Sequence, residues 1–369
     1  MNNNMKAFYN AVVFDGETMH RNKAVLTSEG KILDLVAEEA IPADAEKINL
    51  KGNFLAPAFI DIQIYGGNGK MFSHALSVES IQATYEYCLS GGATQFMITL
   101  ATNSIEVFLK GIEVVKEYWQ QGGKGMPGLH LEGPYINPVK RGAHVERFIH
   151  KPTLEEVGML LKQGKGVIKM MTLAPEQCDA SIIQLLQDNN VIVSAGHSNA
   201  TYEQASTAFN NGIPVATHLF NAMSPLQHRA PGLPGAIYNH PAAMSSIVPD
   251  GIHVDFAVLR ISKKVMQERL FMITDAVAET TSGEYQHIFK GDRYTLPDGT
   301  LSGSALTMIK GVKNCVEQAG IDLEEALRMA SLYPAKVIGK SNELGRIKKG
   351  YNAEMVAFDK QFNVLDVIR

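Results

Sequence analysis

Cysteine is scarce in this chain, with three residues in 369. Cys88, Cys178 and Cys315 lie far apart and form no Cys-x-x-Cys pair. This usage argues against a disulfide framework or a cysteine zinc site, and it favours buried free thiols in a reducing compartment. The first six residues are polar and lack the apolar stretch of a signal peptide. The sequence therefore predicts a cytoplasmic protein.

Long apolar runs and clusters of one charge sign are also missing. No stretch approaches the roughly 18 uncharged apolar residues that a membrane helix needs. The net charge is −4, and lysine and arginine are scattered along the chain. We therefore expect neither a nucleic acid nor an anionic membrane as a partner. With 45% hydrophobic and 20% charged residues, the chain has the composition of a globular protein large enough for two domains.

Strand-like and helix-like patterns alternate through the middle of the chain. Helical stretches, such as residues 77–90 and 105–120, separate most of the apolar runs. Eight such runs alternating with helices predict an α/β fold, a TIM-like (β/α)8 barrel. A turn-rich insert at 289–301 is predicted to form a surface hairpin after the eighth strand. The predicted barrel strands cover residues 59–65, 94–100, 128–132, 167–173, 191–197, 215–219, 244–248 and 270–275.

The two ends of the chain have a different pattern, in which short strands follow one another between turns. The N-terminal strands are predicted at residues 7–14, 24–27, 31–36 and 46–50, and the C-terminal ones at 354–359 and 363–367. These ends predict a small β-sandwich domain built from residues 1–53 and 343–369. The catalytic barrel would then span residues 54–342.

Four side chains that can bind a metal or accept a proton stand at predicted strand ends: Glu132, His197, His218 and Asp275. In barrels of this kind the chemistry lies at the C-terminal ends of the strands. Two imidazoles and one carboxylate suit zinc, would also accept iron, and leave a position open for water. The remaining carboxylate, Asp275, can serve as the general base. The set predicts metal-assisted hydrolysis.

Each of these residues also has a structural interpretation. Glu132 could form a buried salt bridge, and His197 and His218 could be hydrogen-bonded structural residues. Asp275 could be a fourth metal ligand instead of a base. Their occurrence as a set favours the metal site. His130 shares a strand face with Glu132 because strand side chains alternate, and we interpret it as a partner of the ligands, not as a ligand.

The first predicted barrel strand bears on the number of metal ions. Many binuclear barrel hydrolases carry a His-x-His pair at this place, whereas this chain has Gln63 and Tyr65. Neither side chain is a good zinc ligand. We therefore expect one divalent ion per chain.

Taken together, the motifs resemble those of the N-acetylglucosamine-6-phosphate deacetylase family of the amidohydrolase superfamily, over essentially the whole chain. The resemblance implies an enzyme that removes acetate from N-acetylglucosamine 6-phosphate and yields glucosamine 6-phosphate in amino-sugar catabolism. The motifs are Pro57-Ala58-Phe59-Ile60-Asp61-Ile62-Gln63, His130-Leu131-Glu132-Gly133-Pro134, Gly142-Ala143-His144, Gly196-His197-Ser198, Thr217-His218-Leu219-Phe220-Asn221-Ala222-Met223, Asp250-Gly251-Ile252-His253, Thr274-Asp275-Ala276 and Leu306-Thr307-Met308.

The resemblance also implies roles for individual residues. Glu132, His197 and His218 would bind the metal, Asp275 would be the catalytic acid and base, and His144 would help to polarise the amide carbonyl. The family is a homodimer in which the residue matching Arg229 reaches the neighbouring active site. Gln63 matches the mononuclear branch, whereas Tyr65 departs from the smaller residue expected there. The expected substrate-binding residues are Ala143, His144, Asn221, Ala222, Arg229, Asp250, His253, Leu306, Thr307 and Met308.

Two other functions compete with this interpretation. One is another amidohydrolase, such as an N-acyl-amino-acid deacylase or a dihydroorotase-like enzyme. Arg229 and His253 suit a phosphate and argue against it. The other is a non-catalytic barrel that serves as an interaction protein, against which the complete ligand set and Asp275 argue.

Overall fold

The computed structural model describes residues 5–369. In chain order the strands are β1 (Lys6–Phe14), β2 (Met19–His20), β3 (Lys23–Ser28), β4 (Lys31–Ala37), β5 (Glu46–Pro57), β6 (Phe59–Ile64), β7 (Gly66–Gly67), β8 (Lys70–Met71), β9 (Ala93–Ala101), β10 (Leu129–Glu132), β11 (Ile168–Leu173), β12 (Ile192–Ala195), β13 (Val215–Ala216), β14 (Met244–Ile247), β15 (Leu270–Met272), β16 (Ile288–Phe289), β17 (Arg293–Thr295), β18 (Leu301–Ser304), β19 (Met355–Phe358) and β20 (Val364–Ile368).

The helices in the same order are α1 (Phe72–Ala75), α2 (Val78–Ser90), α3 (Ile105–Gln120), α4 (Leu154–Gln163), α5 (Ala180–Asp188), α6 (Tyr202–Asn210), α7 (Gly232–Asn239), α8 (Phe256–Met266), α9 (Met308–Glu317), α10 (Leu323–Ala330) and α11 (Leu332–Val337). Across residues 5–369, none of these helices has the length and apolarity that a membrane crossing requires.

Eight strands form the barrel that the alternating pattern predicts. They lie in the order β6, β9, β10, β11, β12, β13, β14 and β15. Each pair of neighbouring strands from β9–β10 to β14–β15 is parallel. Backbone bonds from Asp275 N to Gln63 O (3.0 Å) and from Tyr65 N to Ala276 O (2.9 Å) join the two ends of this sheet. The sheet is thereby a nearly closed TIM-like barrel, and the predicted fold class is confirmed.

The barrel interior below the strand ends is unusually polar. His130 Nε2 lies 2.8 Å from Thr172 Oγ1, which lies 2.7 Å from Thr217 Oγ1. Thr217 Oγ1 is in turn 2.6 Å from Ser194 Oγ. All four side chains are fully buried, whereas barrel interiors are usually filled by Val, Ile and Leu. We call these four residues the polar floor. The hydrogen bonds of its hydroxyls and imidazole repay their burial.

Several barrel strands end earlier than predicted. β12 ends at Ala195 and β15 at Met272, so the functional residues that follow stand in loops and not in the strands. The physical reason is the backbone of these residues, since His197, His218 and Asp275 have φ values of 48°, 35° and 55°. A left-handed residue cannot continue a strand.

The two chain ends form one mixed sheet in the order β20, β19, β5, β1, β3 and β4, with β2 paired to β1. β1 and β5 are parallel, and the other pairs are antiparallel. Its core includes Phe8, Val13, Val25, Leu55 and Met355, which are at most 3% exposed. The prediction that both chain ends contribute strands to one sheet structure is thus confirmed.

Contacts divide the chain into two compact units. One contains the residues up to Asp61, Cys88–Gln95 and Thr307–Arg369, and the other contains Ile62–Tyr87 and Phe96–Leu306. The division into 1–53 with 343–369 and 54–342 stays a prediction.

The insert after β15 is larger than the predicted surface hairpin. It forms a three-stranded antiparallel sheet of β16, β17 and β18. Its last strand returns to the barrel end, where Ser304 N donates to Asp275 O at 2.9 Å. The insert therefore reaches residues next to the predicted site.

The core of the mixed sheet gives a test of stability. Leu55 is fully buried and is paired with Val13 and Ala357. We expect Leu55→Ala to lower the free energy of unfolding by about 2–5 kcal/mol, because a cavity replaces a filled core position. Chemical denaturation measures the loss. Leu365→Ala, which removes a side chain that is 52% exposed, is the control and should change stability little; equal losses in both variants would contradict the assignment.

Candidate active site

The C-terminal ends of the barrel strands surround a cavity that holds most of the predicted site residues. The predicted residues along its wall are Glu132, Ala143, His144, His197, His218, Asn221, Ala222, His253 and Asp275. They come from different strands and loops, so the fold brings together side chains up to about 140 positions apart in the chain.

Glu132, His197 and His218 form a tight triangle. Glu132 Oε1 lies 3.3 Å from His197 Nε2 and 3.1 Å from His218 Nε2, and the two imidazole nitrogens are 3.1 Å apart. Tetrahedral coordination with bonds of about 2.0–2.1 Å would place ligand atoms about 3.4 Å apart. The three donor atoms therefore have the spacing of a divalent metal site.

The protonation of His197 suits a ligand. Its Nδ1 lies 3.0 Å from the carbonyl oxygen of Lys140. Because a carbonyl oxygen can only accept, Nδ1 carries the proton and Nε2 keeps its lone pair. His218 lacks such a partner, since its Nδ1 is buried and has no hydrogen bond within residues 5–369.

His144 completes a buried group that could hold a metal ion. Ligand atoms of Glu132, His144 and His197 all lie within 4.8 Å of one another. The hydrogen bonds of His144, however, favour a different role. His144 Nδ1 lies 3.2 Å from the backbone nitrogen of Thr102 and 2.7 Å from Thr102 Oγ1, which can donate or accept. His144 Nε2 lies 3.1 Å from Glu132 Oε2, and because an ionised carboxylate can only accept, Nε2 carries a proton.

The carboxylate of Glu132 is only 2% exposed. Burial disfavours its charged form, but the imidazoles of His197 and His144 outweigh burial and hold the pKa of Glu132 well below its ordinary value. The turn that follows needs glycine. Gly133 has a φ of 86°, and a Cβ there would lie 2.1 Å from Thr102 Oγ1. Glu132 is therefore a buried anion at a tightly constrained strand end.

Gln63 connects Glu132 to Asp275. Its Nε2 lies 2.9 Å from Glu132 Oε1, from Asp275 Oδ1 and from Tyr65 Oη. The hydroxyl of Tyr65 donates to Glu132 Oε2 through a short hydrogen bond. Burial, followed by the charges of Glu132 and Asp275, raises the pKa of Tyr65, so the phenol stays protonated. Gln63 and Tyr65 thus occupy the space between the two carboxylates with neutral donors.

The loops that carry the histidines are strained. Besides His218, Phe220 and Ala222 have φ values of 76° and 49°. Left-handed non-glycine residues cost free energy and collect at functional sites. Gly196, just before His197, admits the close packing of this region, because a Cβ there would lie 2.7 Å from Thr172 Cγ2 and 2.9 Å from Thr217 Cβ.

His253 enters the cavity with its orientation set by Asp250. His253 Nδ1 lies 2.6 Å from Asp250 Oδ2. The other oxygen, Oδ1, accepts the backbone N–H groups of Ile252 and His253 at 2.9 and 2.8 Å. Burial disfavours the Asp250 anion, but the bonds to His253 and to the backbone hold its pKa below the ordinary value. Asp250 does not itself line the cavity.

Other predicted substrate residues also lie outside the cavity wall. Arg229 is exposed in the loop between β13 and α7. Leu306 is buried, and Thr307 and Met308 stand at the start of α9 in the compact unit that contains the chain ends. Their contacts with a substrate stay predictions.

The segment that leads into the insert, and the insert itself, contribute side chains to the cavity that the sequence did not predict. Tyr285, His287 and Ser302 line the cavity. Tyr285 Oη donates to the carbonyl of Thr102 at 2.5 Å, and His287 Nδ1 lies 2.9 Å from Ser302 Oγ. Burial lowers the pKa of His287 to about 4, so this imidazole is neutral near pH 7. The spacing of Tyr285 and His287 could have indicated that they lie together, because side chains two residues apart share one face of an extended segment.

Comparisons with known proteins agree with this geometry. The sequence profile of the Amidohydrolase family matches residues 54–369. The chain is 35% identical to the N-acetylglucosamine-6-phosphate deacetylase of Haemophilus influenzae, over 98% of this chain and 97% of that one. The crystal structure of the Pasteurella multocida N-acetylglucosamine-6-phosphate deacetylase superposes with a TM-score of 0.95 at 37% identity, over 98% and 97% of the two chains.

A further structure shows an enzyme of this kind with a sugar phosphate. An aspartate-to-alanine mutant of the Mycobacterium smegmatis N-acetyl-D-glucosamine-6-phosphate deacetylase, in complex with N-acetyl-D-glucosamine 6-phosphate, gives a TM-score of 0.92 at 28% identity, covering 99% and 98% of the chains. The fold and the buried His/Glu cluster thus define an amidohydrolase-type enzyme. Within that class, the chain belongs to the N-acetylglucosamine-6-phosphate deacetylase family.

Proposed function

We propose that this protein hydrolyses the acetamide of N-acetyl-D-glucosamine 6-phosphate to D-glucosamine 6-phosphate and acetate. The observation that carries the proposal is the triangle of Glu132, His197 and His218, which opens on the same cavity as Asp275. The full-length similarity to deacetylases of this substrate supports the choice of substrate.

We assign the metal to Glu132, His197 and His218 rather than to a set with His144. The triangle has the spacing of tetrahedral ligands, and His197 offers a lone pair on Nε2. Zinc fits two imidazoles and one carboxylate, and iron would fit the same donors. One such ion, when bound, would polarise the amide carbonyl and lower the pKa of water.

His144 supports the proposed reaction as a hydrogen-bond donor. Because the neighbouring Glu132 carboxylate can only accept, Nε2 carries a proton at the cavity. This N–H donates to Glu132 before substrate binds, and it would turn to the oxyanion that forms when the amide carbonyl is attacked. Removal of one such donor typically costs about 10²–10³-fold in kcat.

Asp275 is the proposed general base and acid. Its carboxylate lies at the cavity, and Gln63 Nε2 holds Oδ1 at 2.9 Å. It would take a proton from the attacking water and return that proton to the nitrogen of the departing amine. The amine then leaves as a neutral group, which an amide nitrogen cannot do without a proton.

The phosphate group needs a cation that the cavity wall of one chain does not supply. Within residues 5–369 the wall contains no lysine or arginine. It does contain His253, whose Nδ1 lies 2.6 Å from Asp250 Oδ2. Arg229 is exposed on a loop rich in Pro and Gly. We therefore propose a homodimer in which Arg229 reaches the neighbouring site, where it binds the phosphate together with His253.

The metal assignment predicts the metal content. We expect about one tightly bound divalent ion per chain, because Gln63 and Tyr65 fill the place where a second ion would need ligands. His218→Ala should lose most of the ion, since one of three protein ligands is removed. Elemental analysis of the purified proteins measures both. His150→Ala, which removes a surface imidazole bonded to Glu156, is the control; two stoichiometric ions in the parent protein would contradict the single site.

The proposed base predicts a separation of chemistry from metal binding. Asp275→Asn should keep its fold and its metal but lose about 10²–10⁴-fold in kcat for acetate release, because the amide cannot accept the proton. Asp188→Asn, a change at an exposed helix end, should keep normal turnover. Near-normal kcat in metal-replete Asp275→Asn would show that another group is the base.

The phosphate assignment predicts a substrate-selective loss. Arg229→Ala should lower kcat/KM for the phosphorylated sugar by about 10–150-fold, the worth of a charge-assisted contact of roughly 1.5–3 kcal/mol. Unphosphorylated N-acetylglucosamine should be affected little. His253→Ala should show the same selectivity more weakly, because an imidazole lacks the paired donors of a guanidinium. Arg21→Ala, at another exposed arginine, is the control, and an equal loss for both substrates would refute the phosphate role.

Hybrid dimers extend this test to the subunit arrangement. A chain with Arg229→Ala keeps its catalytic set, and a chain with Asp275→Asn keeps its arginine. If Arg229 acts across the dimer, a mixed pair contains one complete site and should recover activity that neither parent has. Verified hybrids without recovery would place Arg229 in the site of its own subunit.

A further inference from the structure

We infer that Tyr65 is a positioning residue that holds one oxygen of Glu132, so that the carboxylate presents its other oxygen to the metal. The inference rests on the proposed ligand set. It concerns the residue at which this chain departs from the expected pattern of its family, and it gives that departure a role.

The two oxygens of Glu132 have different surroundings. Oε2 accepts the hydroxyl of Tyr65 and lies 3.1 Å from Nε2 of His144. Oε1 faces the two other proposed ligands, His197 and His218, at 3.3 and 3.1 Å. Oε2 thus has two side-chain donors. Oε1 has one, Gln63 Nε2 at 2.9 Å, and keeps a lone pair directed to the place where the ion would bind.

The direction of the bond from Tyr65 follows from its partners. An ionised carboxylate can only accept, so the phenol must donate to Glu132. The Tyr65 oxygen then has lone pairs free to accept, and Gln63 Nε2 lies 2.9 Å from it, with two hydrogens shared among Tyr65, Glu132 and Asp275. Gln63 therefore supports the tyrosine in the one orientation that serves Glu132.

The position of the phenol is fixed by its packing. Tyr65 is 7% exposed and belongs to an apolar cluster with Met71, Ala101, Val277 and Tyr285. Its backbone N–H donates to Ala276 O at 2.9 Å, and its carbonyl accepts from Phe72 N at 3.0 Å. The hydroxyl is consequently held in place before any metal binds, and loss of the hydroxyl alone should leave the ring packing intact.

This arrangement has a consequence for metal binding. A carboxylate that loses one of the two partners on its second oxygen is freer to rotate, or to bind a metal through both oxygens. Either change alters the ligand geometry, and loss of a hydrogen bond to a ligand typically weakens metal affinity or activity by about 10–100-fold. The Tyr65 hydroxyl should therefore contribute to metal affinity without contacting the metal itself.

The test compares zinc affinity among four proteins by competition with a chromophoric chelator. They are the parent protein, Tyr65→Phe, Glu132→Gln and Tyr118→Phe. Tyr118 is a matched control, because it is a buried tyrosine whose hydroxyl donates to the backbone oxygen of Lys124 at 2.8 Å. We expect Tyr65→Phe to bind zinc about 10–100-fold more weakly. Tyr118→Phe should match the parent, and Glu132→Gln should lose most of its zinc.

Two further measurements separate positioning from a structural or substrate-binding role. The rise in Tm on adding zinc is measured within each variant, so it reports zinc affinity even if the apoprotein is less stable. Acetate release at saturating zinc should fall less than zinc affinity does, with little change in KM. A raised KM with parental zinc affinity would make Tyr65 a substrate contact and overturn the inference.

The possible failures are distinguishable. Parental zinc affinity in Tyr65→Phe together with zinc loss in Glu132→Gln would reject the role of Tyr65 and leave the ligand set standing. Parental zinc affinity in Glu132→Gln would reject the ligand set and the positioning role with it.

Discussion

The ionised carboxylate of Glu132, buried inside the barrel, is the constraint on which the rest of the site depends. An isolated buried charge is too costly to persist, so groups around it must offer positive or donor character. His144, Gln63 and Tyr65 do so as hydrogen-bond donors. His197 and His218 instead direct their Nε2 atoms to the side of Glu132 that faces the proposed ion. The donors around Glu132 lower the free-energy cost of burying its charge. A divalent cation at the open side of the site would lower that cost further.

The barrel brings these side chains together because its strands end in turns at one rim. A parallel barrel directs the ends of all its strands to one rim, so residues distant in sequence converge there. The left-handed backbones of His197, His218 and Asp275 then turn these side chains away from the strand direction. The strain of such residues is tolerated because the surrounding hydrogen bonds hold them, as the bond from His218 N to Ser246 Oγ at 2.7 Å illustrates.

Much of this arrangement could be predicted from the sequence. The alternating apolar runs predicted the barrel, and the strand-end positions of Glu132, His197, His218 and Asp275 predicted their convergence. The ends of the strands could not be predicted, because a left-handed backbone at a histidine or aspartate does not change the pattern of apolar residues. The proton positions on His144 and His197 depend on the Glu132 carboxylate and on the backbone carbonyl of Lys140, which lie 12 and 57 positions away in the chain. The insert was predicted to be a surface hairpin, because its turn residues do not indicate which part of the protein it packs against.

The polar floor beneath the site has a consequence for how this barrel can evolve. Two of its three hydroxyls contact two neighbours each: Thr172 contacts His130 and Thr217, and Thr217 contacts Thr172 and Ser194. An apolar replacement at either threonine would remove a hydrogen bond from two buried partners, and compensation would require coordinated changes on adjacent strands. Neighbouring floor residues should therefore change together among relatives. By contrast, the apolar outer faces of the same strands can exchange one aliphatic side chain for another singly. The interior of the barrel should therefore change by linked substitutions, and its exterior by independent ones.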